Sequence, residues 1–192
     1  MNLPNKLTVL RICLIPIFMV VLISPLPISD LARRLIGAAL FGITALTDMI
    51  DGKIARKYNL ITDFGKFLDP LADKFMIFGA MLAILVTCEY ASIFVWVAAI
   101  IMFRELAVTS LRLIVVGSSG KVIAANLAGK IKTVSQIVGI LVFILEPVTL
   151  MRFDFWPDNL LSYILMAIMV FTTVWSGVAY FIGCLQYIDP TK

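Results

Sequence analysis

Four aspartates stand close together in the sequence, at spacings that place carboxylates side by side on a helix. Asp48 and Asp51 are three residues apart, and Asp69 and Asp73 are four residues apart. Residues at either spacing share one helix face. The segment between the two pairs is short, which makes their helices antiparallel neighbours. The sequence therefore predicts that all four carboxylates, here called the quartet, point to one spot.

Converging carboxylates repel one another unless cations lie between them. The chain has no histidine, and its three cysteines are scattered, so oxygen atoms are the available ligands. Hard oxygen ligands favour Mg²⁺ or Mn²⁺, and four carboxylates can bridge two such ions. We therefore expect the quartet to hold two divalent ions. The alternative is salt bridging of these acids to nearby cations: Lys53, Arg56, Lys57, Lys66 and Lys74.

Small residues lie next to the acids. Gly52 directly follows Asp51, Ala55 lies one helical turn from it, and Gly65 opens the next apolar segment. Such residues let a ligand approach the backbone closely. They also allow ordinary packing of one membrane helix on another, which is the simpler interpretation.

The sequence around the quartet is strongly apolar. Hydrophobic residues make up 61% of the 192 residues, and charged residues only 15%. A soluble domain could not bury so much apolar surface, which indicates an all-α integral membrane protein. A span needs about 20 apolar residues. Six segments fit within a single membrane-embedded catalytic domain, 1–192: about 7–24, 32–56, 66–88, 92–117, 130–150 and 157–186.

The positive charges predict the sidedness of these segments. The N-terminal stretch, two alternate connections, the C-terminus and the adjoining helix ends hold thirteen of the 16 Lys and Arg residues; Arg33, Arg34 and Arg152 are the others. Cytoplasmic connections are the ones enriched in Lys and Arg. Both termini and the quartet are therefore predicted to lie towards the cytoplasm. The absence of a targeting extension leads us to expect a bacterial plasma (inner) membrane.

The pattern Asp48-x2-Asp51-Gly52-x2-Ala55-Arg56-x8-Gly65-x3-Asp69-x3-Asp73 resembles the full signature of the CDP-alcohol phosphotransferase family. The resemblance implies six transmembrane helices, a homodimer and a two-metal site that opens to the cytoplasm. It also implies a reaction in which a CDP-linked lipid gives its phosphatidyl group to an alcohol and CMP is released.

Carried over to this chain, the resemblance makes Asp48, Asp51 and Asp69 metal ligands and Asp73 the general base and a further ligand. Its other implied roles concern the CDP-lipid. Gly52, Ala55 and Gly65 leave room for the nucleotide, and Arg56 pairs with its phosphate. The N-terminal polar stripe of Asn5, Thr8 and Arg11 lies near the nucleotide. Thr44 and Thr47, just before the quartet, are weaker candidates for the same role.

A second polar set suggests how the alcohol is recognised. Arg104 and Arg112 are eight residues apart in the fourth apolar segment and share a helix face. Further polar residues follow near the next connection: Lys121, Lys130, Lys132 and Thr133. Five cations suit a doubly charged phosphate. Positive-inside topology is the simpler interpretation for the lysines, and Glu105 is a candidate partner of the arginines.

An acceptor that carries its own phosphate fits this set, namely glycerol 3-phosphate or inositol phosphate. The order of these residues resembles the branch of the family that uses glycerol 3-phosphate, so CDP-diacylglycerol and glycerol 3-phosphate are the expected substrates. Membrane lipids are expected partners, and nucleic acid is not. Sibling enzymes that use serine, inositol phosphate or phosphatidylglycerol remain alternatives. A divalent-cation transporter is a further one, because intramembrane acids also mark ion paths.

Overall fold

The structure is a computed structural model that describes residues 2–57, 62–119, 127–150 and 157–184. Its elements are α1 (Leu3–Ile23), α2 (Asp30–Lys57), α3 (Asp63–Thr87), α4 (Ala91–Ser119), α5 (Leu127–Leu145), a short 3₁₀ helix (Glu146–Val148) and α6 (Leu160–Cys184). No strand occurs within the described ranges. The prediction of an all-helical chain is therefore confirmed.

The boundaries of the last two helices differ from the predicted segments. The fifth α-helix ends at Leu145 and continues as the 3₁₀ turn, because Pro147 lacks the amide hydrogen that would extend the α-helical ladder. The sixth helix begins at Leu160 rather than at residue 157. Asn159 precedes it with a φ of 56°, and a residue in the left-handed region cannot belong to a right-handed helix.

Five of the six helices are long and apolar enough to cross a membrane, within the part of the chain that the structure describes. They contain the segments Asn5–Ile23, Phe67–Thr87, Ala91–Gly117, Leu127–Val148 and Leu160–Cys184. The chain is therefore a multi-pass membrane protein. Helix α2 is also long, but it carries Asp30, Arg33 and Arg34 in its first turns and the first aspartate pair near its end. Its crossing of the membrane stays a prediction.

The chain divides into two compact units. The first unit comprises Met1–Ala91 and Ile140–Ser162, and the second comprises Ser92–Gly139 and Tyr163–Lys192. The quartet belongs to the first unit. The cations proposed to bind the acceptor belong to the second.

Helix α1 is the main packing partner of both α2 and α3 in the first unit, whereas α2 and α3 meet each other over only a short stretch. Glycines allow this close approach. An ideal Cβ at Gly37 of α2 would lie 2.7 Å from Leu22 Cδ2, and one at Gly79 of α3 would lie 2.7 Å from Ile15 Cγ2. A side chain at Gly37 would have to displace Leu22, and one at Gly79 would have to displace Ile15. The two acidic helices are therefore positioned largely through α1.

The first turn of α2 holds a small charge network. Asp30 accepts hydrogen bonds from Arg33 and from Arg34 Nε, the latter at 3.0 Å. Burial favours the neutral acid, but the hydrogen bonds from the two guanidinium groups outweigh it and keep the Asp30 pKa below its ordinary value. Arg34 Nη1 also donates to the carbonyl of Ile144 at 3.4 Å, which links the start of α2 to the end of α5.

Glu146 connects the end of α5 to the start of α6. Its side chain is 1% exposed and accepts from Leu161 N at 2.9 Å, Ser162 N at 2.7 Å and Ser162 Oγ at 2.5 Å. The first amides of a helix have no acceptor within the helix and carry partial positive charge. A carboxylate from a distant turn therefore caps α6.

Replacement of Glu146 by Gln should destabilise the protein by about 1–3 kcal/mol, because an amide nitrogen would then face donors that need an acceptor. Thermal unfolding in detergent measures the change. Glu89→Gln is the matched control, since Glu89 is exposed and its replacement should change stability by no more than about 0.5 kcal/mol. Equal Tm values for the two variants would show that the Glu146 cap does not stabilise α6.

Candidate functional site

The N-terminal half of α1 carries a buried polar stripe that contacts the acidic helices. Asn5, Thr8 and Arg11 are 6%, 1% and 0% exposed. Thr8 Oγ1 donates to Asp69 Oδ1 at 2.8 Å, and Arg11 Nη1 donates to Asp48 Oδ1 at 2.5 Å. One face of α1 thus binds one carboxylate from α2 and one from α3.

The carboxylates are more accessible than the donors that hold them. The Asp48 side chain is 39% exposed, whereas Arg11 is wholly buried behind it. Asp69 is exposed and Asp73, one turn further along α3, is half-buried. The buried stripe therefore fixes the carboxylates from behind and leaves them open to a ligand. Asp48 forms an ion pair with Arg11. The sequence also offered cations on α2 and at the start of α3 as ion-pair partners of the acids, and the following of these have side chains outside the described part: Lys53, Arg56, Lys57 and Lys66.

The donor set suits a hard divalent ion, because the residues concerned are carboxylates. Among the residues that the structure describes, no three acidic, histidine or cysteine side chains gather closely enough to hold a metal. Asp51 belongs to α2, three residues after Asp48, but its side chain lies outside the described part. The convergence of all four carboxylates therefore stays a prediction.

The start of α3 is tied to α1 through Thr62 and Gly65. Thr62 caps α3 by accepting from Gly65 N at 3.0 Å, and the same hydroxyl accepts from Asn5 Nδ2 at 2.9 Å. A Cβ at Gly65 would lie 2.9 Å from Asn5 Oδ1 and 3.2 Å from Thr62 Oγ1. Glycine is thus required here by the close approach of Asn5, which places α1 against the first turn of the helix that carries Asp69 and Asp73.

The remaining residues assigned to the CDP-lipid lie on α2. The hydroxyls of Thr44 and Thr47 each donate at 2.7 Å to the backbone carbonyl four residues earlier, a common arrangement for threonine within a helix. Gly52, Ala55 and Arg56 are in the last turns of α2, and their surroundings lie outside the described part.

Two of the predicted acceptor-binding cations share one carboxylate in the second unit. Glu105 Oε1 accepts from Arg104 Nη1 at 3.1 Å and from Lys132 Nζ. All three side chains are nearly buried, with exposures of 13%, 13% and 8%. Two cations against one carboxylate leave an excess of one positive charge, which an anion can neutralise.

Arg112 and Thr133, which were also predicted to bind the acceptor, have contacts of their own. Arg112 Nε donates to Tyr180 Oη at 2.9 Å, and its guanidinium carbon lies 5.2 Å from the centre of the same ring. Lys130 is exposed. Thr133 Oγ1 donates to the carbonyl of Gly129 at 3.1 Å. Lys121 lies outside the described residues.

The structure reveals buried polar residues on α5 and α6 of the second unit that the sequence analysis did not single out: Gln136, Thr172, Thr173, Ser176 and Tyr180. The signal that could have found the α6 set is its helical spacing. Positions 173, 176 and 180 share one helix face, and a repeated polar residue on one face of a membrane helix marks an inward-facing stripe.

A cavity of about 70 Å³ lies at the opposite ends of α2 and α3 from the quartet. Arg34, Cys88 and Tyr90 are among the residues that line it. Burial raises the pKa of Tyr90 to about 12, so this phenol stays neutral at physiological pH. The cavity is too small for a CDP-lipid.

The chain is similar to known proteins along most of its length. Residues 1–175 match the family model described as CDP-alcohol phosphatidyltransferase. The chain is 44% identical to the CDP-diacylglycerol–glycerol-3-phosphate 3-phosphatidyltransferase of Bacillus subtilis, over 94% of this chain and 93% of the relative. It is 36% identical to a probable phosphatidylglycerophosphate synthase of Mycobacterium tuberculosis, over 100% of this chain and 85% of the relative. It is 34% identical to the Rickettsia bellii protein that has the same name as the Bacillus relative, over 97% of each chain.

Gly65→Ala should destabilise the protein by about 1–3 kcal/mol, because the added methyl group would displace Asn5 from Thr62 and separate α1 from the start of α3. The measurement is thermal unfolding in detergent. Gly42→Ala is the matched control, since a Cβ at Gly42 meets no atom within 4 Å, and alanine favours the helix by about 1 kcal/mol. The interpretation would be wrong if Gly65→Ala were as stable as Gly42→Ala.

Proposed function

This chain belongs to the CDP-alcohol phosphatidyltransferase family, and we propose that it transfers the phosphatidyl group of CDP-diacylglycerol to sn-glycerol 3-phosphate. The products are phosphatidylglycerophosphate and CMP, which makes the protein a transferase of phospholipid biosynthesis. The observation that carries this proposal is the similarity to relatives named for this activity along almost the whole chain. The pairing of two nearly buried cations with one carboxylate in the second unit supports a phosphorylated acceptor.

We assign the CDP-lipid to the quartet. Enzymes of this family use divalent metal ions, and we propose two Mg²⁺ or Mn²⁺ ions with Asp48, Asp51, Asp69 and Asp73 as their ligands. Bound ions would neutralise the diphosphate and the charge that develops on departing CMP. Gly52, Ala55 and Gly65 would leave room for the nucleotide, and Arg56 would pair with its phosphate. Asn5 and Thr47 are proposed to border the same ligand.

The α1 stripe has a supporting part in this proposal. Arg11 and Thr8 hold one oxygen each of Asp48 and Asp69. Because Arg11 is wholly buried, it acts on the CDP-lipid through Asp48. A carboxylate that is already oriented loses less conformational entropy when it binds a ligand, so these donors favour ligand binding without contacting the ligand.

The chemical step is the attack of a glycerol hydroxyl on the phosphatidyl phosphorus. A new phosphorus–oxygen bond forms to the acceptor while the bond to CMP breaks, and CMP leaves with the electron pair. The hydroxyl must lose its proton, and we assign Asp73 as the base that accepts it. Asp73 is half-buried, one turn after Asp69 on the same face of α3.

We assign the acceptor phosphate to the second unit's cations. Arg104 and Lys132 are the central pair, held together by Glu105. Arg112, Lys121, Lys130 and Thr133 complete the proposed set. A phosphate monoester carries close to two negative charges, and charge-assisted hydrogen bonds to Arg and Lys are the strongest that proteins make to it.

The membrane arrangement is part of the same proposal. We propose that α2 crosses the membrane as the sixth span and that both termini and the quartet face the cytoplasm, with the whole chain forming one catalytic domain, 1–192. The excess of Lys and Arg on that side supports this orientation. We further propose a homodimer in a bacterial inner membrane, surrounded by lipid.

Asp73→Asn should lower the rate of CMP release by about 10²–10⁴, because an amide cannot accept the acceptor's proton. Binding of CDP-diacylglycerol, measured separately, should change little. Asp63→Asn is a control on the same helix, since Asp63 is an acid outside the quartet at the start of α3. Retention of more than about half the wild-type rate by Asp73→Asn would exclude its assignment as base.

An acceptor panel tests the function as a whole. Purified protein with CDP-diacylglycerol and Mg²⁺ or Mn²⁺ should release CMP fastest with glycerol 3-phosphate, poorly with glycerol, and not at all in excess chelator. Lys132→Met should raise the KM for glycerol 3-phosphate about ten- to a hundredfold, the effect of one lost charge-assisted bond, and leave the KM for CDP-diacylglycerol nearly unchanged.

Lys6→Met is the control for lost charge, since Lys6 is exposed and has no assigned contact with either substrate. Faster CMP release with inositol phosphate, serine or phosphatidylglycerol would assign the chain to a sibling activity. Equal changes in both KM values for Lys132→Met would instead indicate a structural lysine.

A further inference from the structure

A polar contact shows at which level α5 and α6 meet. Ser135 of α5 and Thr172 of α6 share a hydrogen bond of 2.8 Å, and the sulfur of Met169 packs over Gly139. Later residues of α5 therefore contact earlier residues of α6, so the two helices run antiparallel. A step of one residue rotates the side chain by about 100° on each helix, in opposite senses for antiparallel helices. Gln136 and Thr173 consequently project to the same side of the pair.

Both residues carry a polar atom that the described part of the chain does not satisfy. Gln136 is 1% exposed and Thr173 is 0% exposed. Gln136 Nε2 and Thr173 Oγ1 find no hydrogen-bond partner among the described residues, and the same holds for Arg104 Nε. Polar atoms buried without a partner cost stability, and few occur in native proteins unless they have a function or bind another molecule.

The shared ion pair lies one helical turn away on the same faces. Lys132 precedes Gln136 by one turn of α5, and Gly177 follows Thr173 by one turn of α6. The Arg104 side chain crosses α6 at Gly177, where a Cβ would lie 3.1 Å from Arg104 Cγ. Glu105 holds Lys132 and Arg104 together. The unsatisfied atoms thus adjoin a site with an excess of positive charge.

The chemistry of these atoms defines what would satisfy them. The amide nitrogen of Gln and the guanidinium nitrogen of Arg only donate, and the Thr hydroxyl can donate. A ligand with several acceptor oxygens and negative charge meets all three needs, and a phosphate monoester has these properties.

We propose that Gln136 and Thr173 bind the acceptor's phosphate together with Arg104 and Lys132. This inference rests on the proposed function, and it adds two uncharged residues, one from each of the last two helices, to the acceptor site. The side-chain amide and the hydroxyl recognise phosphate oxygens without adding charge, so they increase selectivity for a phosphorylated alcohol over a free one.

Gln136→Leu and Thr173→Val test the proposal, because each removes the unsatisfied atom and keeps the approximate volume. Each should raise the KM for glycerol 3-phosphate about tenfold, the effect of losing one hydrogen bond to a charged group. The KM for CDP-diacylglycerol should stay the same. The Tm without ligand should stay equal or rise, while the Tm increase caused by glycerol 3-phosphate or inorganic phosphate should shrink.

Ser176→Ala is the matched control. Ser176 is a buried hydroxyl on α6, and it donates to the carbonyl of Thr173 at 3.1 Å, so its removal should leave both KM values unchanged. If Gln136 and Thr173 instead bound a trapped water, Gln136→Leu and Thr173→Val would show the opposite pattern. Their Tm would fall, and their KM for glycerol 3-phosphate would not change. That pattern would overturn the inference.

The design also separates this inference from the proposed function. Wild-type protein that ignores glycerol 3-phosphate but uses another phosphorylated alcohol would contradict the proposed function only. The inference would then stand if inorganic phosphate raised the Tm of the wild type and not that of Gln136→Leu and Thr173→Val. Equal phosphate-induced Tm shifts in wild type and both variants would overturn it.

Discussion

An ionised carboxylate within an apolar helix needs a partner, and α1 supplies partners to the acidic helices of this protein. Removing a carboxylate from water costs several kcal/mol unless it is paired or hydrogen-bonded. Arg11 and Thr8 meet this need for Asp48 and Asp69, and both donors are buried while the acids remain accessible. The positions of α2 and α3 therefore depend on the helix that contacts both of them.

The packing of α1 follows from the same constraint. The Thr8 hydroxyl, on a short side chain, reaches Asp69 only if the backbones of α1 and α3 come close together. Gly37, Gly65 and Gly79 permit that approach, each at a point where a Cβ would come within 3 Å of an atom of α1. Small residues at helix contacts are the usual means of close packing in membranes, where no hydrophobic force drives one helix onto another.

In the second unit, nearly buried cations rather than carboxylates need a partner of opposite charge. Arg104 and Lys132 are nearly buried cations, and Glu105 provides the carboxylate that both require. One carboxylate for two cations leaves an excess of one positive charge in this cluster. Arg112 is stabilised differently, by the hydroxyl and ring of Tyr180. Arg104, Lys132 and Arg112, predicted as parts of one group, are thus held by two different sets of contacts.

The sequence by itself determined the features that depend on composition and local spacing. The apolar segments predicted the helices, because a lipid-exposed backbone must satisfy its own hydrogen bonds. The spacing of the aspartates predicted which carboxylates share a helix face, and the pattern that contains them identified the family. Only the tertiary structure decided which donors meet which acids. The family resemblance placed Asn5, Thr8 and Arg11 near the CDP-lipid, and the structure adds their contacts with Thr62, Asp69 and Asp48, between 37 and 61 residues away. Glu146 and Gln136 gave no signal in an apolar sequence, and Thr173 gave only its helical spacing from Ser176 and Tyr180. Their burial and their partners arise from contacts between helices that no local pattern encodes.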